Sequence, residues 1–268
     1  MALSNLRNDC ITIFNVQKNI IHKTKSILNA TFAIANTNTI MEVQLQIKMN
    51  AKLYLRDPET SELGKGIIRH GIEMIYELGF EEFTFKKLAI KVGTTEASIY
   101  RYFENKHRLL TYITTWFWTW LEYQLVFNTN NISDSKQKID AVIKLLTFQE
   151  KEELALEHIN KSVLQKIIIS EGDKSYLTRH VTEDNKAMLF KPYKDLCHRI
   201  AEIFLEYKPG YPYPHSLAST LIETAHRQIY FKDHLPRLTD FGNIKDTNTV
   251  ENYLRHMIYS MLDATKKK

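Results

Sequence analysis

The run from Glu82 to Leu110, EFTFKKLAIKVGTTEASIYRYFENKHRLL, leaves the backbone few local choices. Thr84 is placed to cap a helix, since its hydroxyl can accept a bond from an otherwise unpaired N–H of the first turn. Phe85, Leu88, Ala89 and Val92 then recur at helical spacing and give a two-turn helix one apolar stripe. Lys86, Lys87 and Lys91 fall off that stripe. Gly93 follows, where a left-handed residue ends a helix with no Cβ penalty. Thr95 can cap a second helix, in which Ile99 and Phe103 sit four apart and face inward. Turning 100° per residue sets Thr94, Ala97, Ser98 and Arg101 on the opposite arc, with Tyr100 on its flank. Asn105 can cap a third helix.

That outward arc is short, polar and small-sided, which suits an arc pressed into the major groove of DNA. Lys106, His107 and Arg108 crowd the first turn of the third helix, where cations oppose the macrodipole. A phosphate placed against that helix end resolves the conflict. From Thr84 to Leu110 the bases Lys86, Lys87, Lys91, Arg101, Lys106 and Arg108 outnumber the acids Glu96 and Glu104, six to two. Charge alone would equally suit a helical hairpin with a solvated basic face. The order of cap, stripe, glycine turn, cap and small polar arc favours DNA reading.

Gly79-Phe80, Thr84, Leu88-Ala89, Val92-Gly93, Ser98-Ile99-Tyr100, Tyr102-Phe103, Asn105-Lys106 and Leu109-Leu110 resemble the signature of tetracycline-repressor-type (TetR family) regulators. The likeness spans about Glu62 to Leu110, including a preceding helix. It implies an all-α fold: a three-helix DNA-binding domain with a helix-turn-helix, then a larger helical domain for ligand binding and dimerisation. It further implies phosphate contacts from Thr84, Lys86, Tyr100 and Lys106, and a base-facing end made by Thr95, Glu96, Ala97, Ser98 and Arg101. Two positions depart from the family pattern. Thr94 stands where an aliphatic residue is usual, and Glu96 puts an acid near the bases. Glu96 can accept from a cytosine N4 or pair with Lys91 or Arg101.

The remainder reads as helix. Eight glycines and six prolines in 268 residues disfavour strands and long loops. A net charge of +5 permits a nucleic-acid partner without requiring one. Cys10 and Cys197 form neither a ligand spacing nor a disulfide framework, which suits a reducing cytoplasm. Residues 1–56 are expected to be a disordered or non-native extension, 57–112 the DNA-binding domain and 113–268 the effector and dimerisation domain. Within the extension Ile27 to Ala35 ends faintly like a signal-peptide cleavage site, but polar residues interrupt it. A basic arm, or upstream sequence ahead of a start at Met41 or Met49, fits residues 1–48 better.

Ser61 to Leu78 reads as the first helix, with Leu63, Ile67, Met74, Ile75 and Leu78 as its buried face and Gly79 as its stop. Gly64-Lys65-Gly66 lacks the surroundings of a phosphate loop. Leu109 to Phe127 holds all three tryptophans and one charge, Glu122. Its threonines weaken a membrane reading, and a buried helix joining two domains is expected. Trp116, Trp120, Tyr123 and Phe127 at three- and four-residue spacing suit either a ligand cavity or plain core.

Further helices are marked by Ile139, Val142, Ile143 and Leu146, and by Leu164, Ile167 and Ile168. Thr182 to Tyr207 reads as one long helix kinked at Pro192. On it Asp195, His198 and Glu202 have metal-like spacing, though a solvated face explains them as well. His215 to Phe231 and Thr249 to Leu262 close the chain. The resemblance implies that these two build a homodimer, and a symmetric dimer reads palindromic half-sites. No nucleophile elbow, paired cysteines, HExxH or glycine-rich loop is present, so no enzyme, cofactor or metal is expected. The expectation is a regulator of transcription, a repressor relieved by a small molecule. The alternatives are the same fold without such an effector, gated by a protein or constitutive, and, more remotely, a helical enzyme or scaffold.

Overall fold

The computed structural model describes residues 30–31, 46–147, 158–242 and 248–264. The chain divides into two compact units, Met1–Lys48 and Met49–Lys268. In the first, β1 (Ala30–Thr31) pairs antiparallel with β2 (Gln46–Ile47), Ala30 opposite Ile47 and Thr31 opposite Gln46. The readings of residues 1–48 as a disordered arm, a signal-like stretch or upstream sequence otherwise lie outside the described residues.

The second unit is helical, so the all-α class holds. It begins inside the stretch counted above with the extension: Met49 and Leu53 are buried, and the Leu55 N–H donates to the Tyr102 carbonyl at 2.8 Å. The helices are α1 (Glu62–Leu78), α2 (Phe85–Val92), α3 (Glu96–Tyr100), α4 (Lys106–Thr129), α5 (Ser135–Thr147), α6 (Lys161–Glu171), α7 (Val181–Lys186), α8 (Lys191–Tyr207), α9 (Pro214–His234) and α10 (Thr249–Leu262).

Ser61 caps α1 by accepting from the Gly64 N–H at 3.1 Å, and Gly79, at φ 79°, ends it. The buried face differs from the expected one. Ile67, Met74 and Ile75 are buried, but Leu63 is half-buried and Leu78 exposed, while Ile68 and Ile72 are buried instead. The reason is that α1 packs against α2, α4 and α6 at once and against the 3₁₀ turn Pro58–Thr60, which turns its buried arc away from Leu63 and Leu78. The turn lies so close that a Cβ on Gly64 would stand 2.2 Å from the Pro58 carbonyl oxygen.

α4 is buried on every side from Leu109 to Glu122, because α5, α6 and α8 pack around it. Thr111 and Thr119 are satisfied within the helix, donating to the His107 and Thr115 carbonyls at 2.9 Å each, while Thr115 donates outward to the Leu189 carbonyl at 3.3 Å. Burial pushes the Glu122 carboxyl up, and the Arg199 guanidinium, 2.6 Å away, opposes that. Among the described residues no helix is long and apolar enough to cross a membrane.

The kinked helix expected from Thr182 to Tyr207 is two helices. Residues 187–190 separate α7 from α8, with Met188 at φ 63°, and Pro192 sits in the first turn of α8. A proline there lacks only an N–H that has no intrahelical partner, so it starts a helix without kinking one. Leu217, Leu221, Ile222, Ala225 and Ile229 of α9 are buried, as are Val250, Leu254 and Ile258 of α10. Met261 is exposed and Met257 half-buried, off the inward stripe.

Candidate nucleic-acid interface

Three caps set the geometry of the helix-turn-helix between Thr84 and Arg108. The Thr84 hydroxyl accepts from the Lys87 N–H at 3.2 Å, Thr95 from Ser98 at 3.2 Å, and the Asn105 side chain from Arg108 at 2.9 Å. Gly93 takes the left-handed conformation, φ 74° and ψ 39°, and the Thr94 N–H returns to the Ala89 carbonyl at 2.9 Å. α3 is thereby pinned against α2 by fully buried Ile99, with Phe103 buried just beyond it.

The outward arc lies where periodicity places it. Thr84, Lys86, Thr95, Ala97, Tyr100 and Arg101 are exposed; Thr94, Glu96 and Ser98 are half-buried. Tyr100 rests its ring edge-on against Phe85, centroids 5.1 Å apart, which aims the phenol outward. Ser98 Oγ lies 2.9 Å from Thr95 Oγ1, so the two hydroxyls are held as a pair.

The cations of the third helix are placed differently from expectation. The Lys106 ammonium donates to the carbonyls of Phe80, Glu81 and Phe83 at 2.9, 2.9 and 3.1 Å, and lies 4.8 Å from the Phe80 ring centroid. Arg108 turns away from the arc and pairs through Nη1 with Asp184 of α7 at 2.7 Å. His107 is half-buried, and burial lowers its pKa, so it adds little charge at the helix end. For Lys106 and Arg108 the conflict with the macrodipole is therefore met by protein oxygens, which a local reading could not foresee.

Those contacts also tie the motif to the helical domain. The Phe80 N–H donates to Glu171 Oε1 at 3.2 Å, and Lys174 bridges Glu81 and Glu171 at 2.9 and 2.8 Å. Asp184 is buried, 2% exposed, with its Oδ2 unpartnered.

α7, which carries Asp184, also walls a cavity of about 600 Å³. The other walls come from α4 (Thr114, Thr115, Trp118), α8 (Tyr193, Cys197) and α9 (His215, Ser219), with Tyr176 from the loop after α6. Trp116, Trp120, Tyr123 and Phe127 are not among its lining residues. Phe127 is 58% exposed, and the Trp120 ring meets the Lys161 ammonium at 5.3 Å. Trp118 takes the place expected of them. It lies 200° around the helix from both Trp116 and Trp120, and periodicity cannot choose between opposite sides of a helix buried all round.

Trp118 packs on Tyr193, centroids 4.7 Å apart, and on His226 at 5.6 Å. Tyr193 and Tyr176 both donate to Glu223 Oε1, at 2.7 and 3.0 Å. Burial, then the Glu223 charge, pushes both phenols well above their ordinary range and the Cys197 thiol up to about 12. Burial holds His226 down to about 4. Of the metal-like set, Asp195 pairs with Lys191 and His198 stacks on His215 at 5.5 Å; among the described residues no group of acids, histidines and cysteines is arranged to hold a metal.

Residues 67–113 match the model of the bacterial regulatory proteins, tetR family. No curated protein matches the chain in a sequence search. Among solved structures, a tetR-family bacterial regulatory protein from Rhodococcus RHA1 is similar at TM-score 0.54 and 11% identity, over 75% of this chain and 97% of that one. The fatty acid degradation regulator FadR from Bacillus halodurans is similar at 0.52 and 15%, over 78% and 98%. AibR, solved with isovaleryl coenzyme A and operator DNA, is similar at 0.50 and 18%, over 73% and 97%. At these identities the likeness is one of fold.

Proposed function

We propose that this TetR-family regulator is a homodimeric repressor that reads a palindromic operator through α3 and releases it when a small molecule fills the cavity beside α4. The observation that carries the reading is the exposed arc of Thr95, Ala97, Tyr100 and Arg101 on a short helix held by two caps and a left-handed glycine. Thr84, Lys86 and Tyr100 would hold phosphates, with the charge of Lys106 beside them at the start of α4. Thr95, Glu96, Ala97, Ser98 and Arg101 would meet base edges.

The cavity supports an effector, and α7 supplies the link. Val181, Thr182 and Asn185 line the cavity, while Asp184 of the same helix holds Arg108 at the start of α4. An occupant that moves α7 therefore acts on the helix that carries the reading head. AibR, crystallised with both a coenzyme A thioester and operator DNA, has the same fold. A dimer is supported by α10, where Tyr253, Met257 and Met261, four apart, form an outward apolar stripe. Nothing in the reading requires catalysis or a membrane, and the expected place of action is the cytoplasm.

The test is anisotropy of a labelled duplex from the gene's own upstream region, titrated with protein at several salt concentrations. Tight binding that exceeds that to a scrambled duplex and weakens steeply with salt is expected. Absence of binding even at low salt would sink the reading.

A further inference from the structure

We propose that the cavity beside α4 takes an organic cation, a flat aromatic body that carries a quaternary or protonated nitrogen. This rests on the reading of the chain as an effector-responsive regulator, and names the class of effector.

Three features converge. The first is the ring system. Trp118 and Tyr193 lie with centroids 4.7 Å apart, and Tyr193 and Tyr176 stack 6.3 Å apart at 19°. Electron-rich faces of this kind stack on flat rings and attract cations.

The second is the polarity of the hydroxyls. Thr114 donates to the Thr111 carbonyl at 3.0 Å, Thr115 to that of Leu189 at 3.3 Å, and Ser175 to that of Gly172 at 2.7 Å. Tyr193 donates to Glu223, and Tyr176 is placed to donate to Glu223 or to Asp173 Oδ1 at 2.8 Å. With their protons directed into the protein, these oxygens have only lone pairs left to offer an occupant. A donor or a cation is met by them; a carboxylate or phosphate is not.

The third is charge. Glu223 lies four residues beyond Ser219 on α9; it does not line the cavity itself but stands directly behind it, accepting the hydroxyls of the lining residues Tyr176 and Tyr193. Asp173 is matched by Arg227, but no ion pair to Glu223 is found among the described residues. Lys194 also lines the cavity, but it is exposed and its ammonium is bonded to Asn185 Oδ1. An occupant cation held on the ring faces would give Glu223 a counter-charge.

The experiment is calorimetric titration of the full chain at neutral pH with N-methylquinolinium, quinoline and quinoline carboxylate. These share one ring system and carry positive, no and negative charge. The cation is expected to bind at least about tenfold tighter than quinoline, and the carboxylate weaker than both. Glu223→Gln should abolish the preference for the cation while quinoline still binds. If that variant does not fold, the ranking of the three on the wild-type chain decides alone. The proposal is overturned if the carboxylate binds as tightly as the cation, if none of the three binds, or if a folded Glu223→Gln variant keeps the wild-type ranking. Repeating the duplex titration with saturating N-methylquinolinium separates the two readings: a cation that binds with the expected ranking yet leaves DNA affinity unchanged refutes the effector role and upholds the ligand class.

Discussion

Lys86 and Lys106 carry the same charge in different surroundings. Lys86 stands exposed on α2, whereas the Lys106 ammonium is committed to three carbonyls of the α1–α2 loop. Lys86→Ala should weaken binding to every duplex alike and reduce the salt slope by about one, with thermal stability unchanged. Lys106→Ala should lower stability as well, by about 1.5–3 kcal/mol, since bonds from a charged donor are lost. Melting curves beside salt titrations tell the two apart; equal melting temperatures would mean that the carbonyl contacts contribute nothing. Ser98→Ala removes a hydroxyl that shares its bond with Thr95 on the arc proposed to meet the bases. It should change the ranking among operator variants rather than the affinity for all of them, read by competition with single-base substitutions.

At the scale of elements, packing decides what a substitution does. A helix-interior glycine changed to alanine ordinarily gains about 0.5–1 kcal/mol. Gly66→Ala should do so, because its new Cβ would meet only a Val92 methyl group at 3.8 Å. Gly64→Ala should instead destabilise by about 1–3 kcal/mol, since the obstacle at 2.2 Å is backbone of the Pro58 turn. Denaturant midpoints of the two variants would be expected to move in opposite directions. The Arg108–Asp184 pair joins the first turn of α4 to α7. Arg108→Met should cost about 3–5 kcal/mol by leaving Asp184 buried and unpaired, and the double variant with Asp184→Leu should recover much of that. On the proposed reading, a folded double variant should still bind duplex DNA but respond less to an occupant of the cavity, which duplex titrations with and without ligand would show.

The same elements show what could be read from the chain before its structure. Caps, the Gly93 turn and the inward stripes of α3 and α9 are local patterns, and they stand where the residues put them, whereas Val92 of α2 and Met257 and Met261 of α10 fall off theirs. Pro192 was misread because a proline within an apolar run fits both a kink and a fresh start. Trp118, Tyr193, Tyr176 and Glu223 were missed as a group, since four residues from four segments meet only after folding. The Arg108–Asp184 contact spans 76 positions and leaves no periodic trace.

The whole molecule responds to pH through its buried groups. Burial holds His226 at about 4 against an ordinary 6.5. The unfolded chain therefore takes up a proton that the folded chain refuses. Above 6.5 the group has no effect; as pH falls from about 6.5 to about 4 it removes about 3 kcal/mol of stability. Melting temperatures measured across that range should fall less steeply for His226→Phe, which keeps a ring against Trp118, than for the wild-type chain. Parallel curves would place the acid sensitivity elsewhere.

All three tryptophans lie within five residues of one another on α4, and Trp118 alone of them lines the cavity. The tryptophan fluorescence of the chain is thus the light of a single helix. An occupant stacked on Trp118 would quench part of that emission, while Trp116 and Trp120, on the opposite side, would keep theirs. The protein carries its own unlabelled optical gauge of the cavity, placed on the helix that follows α3 directly.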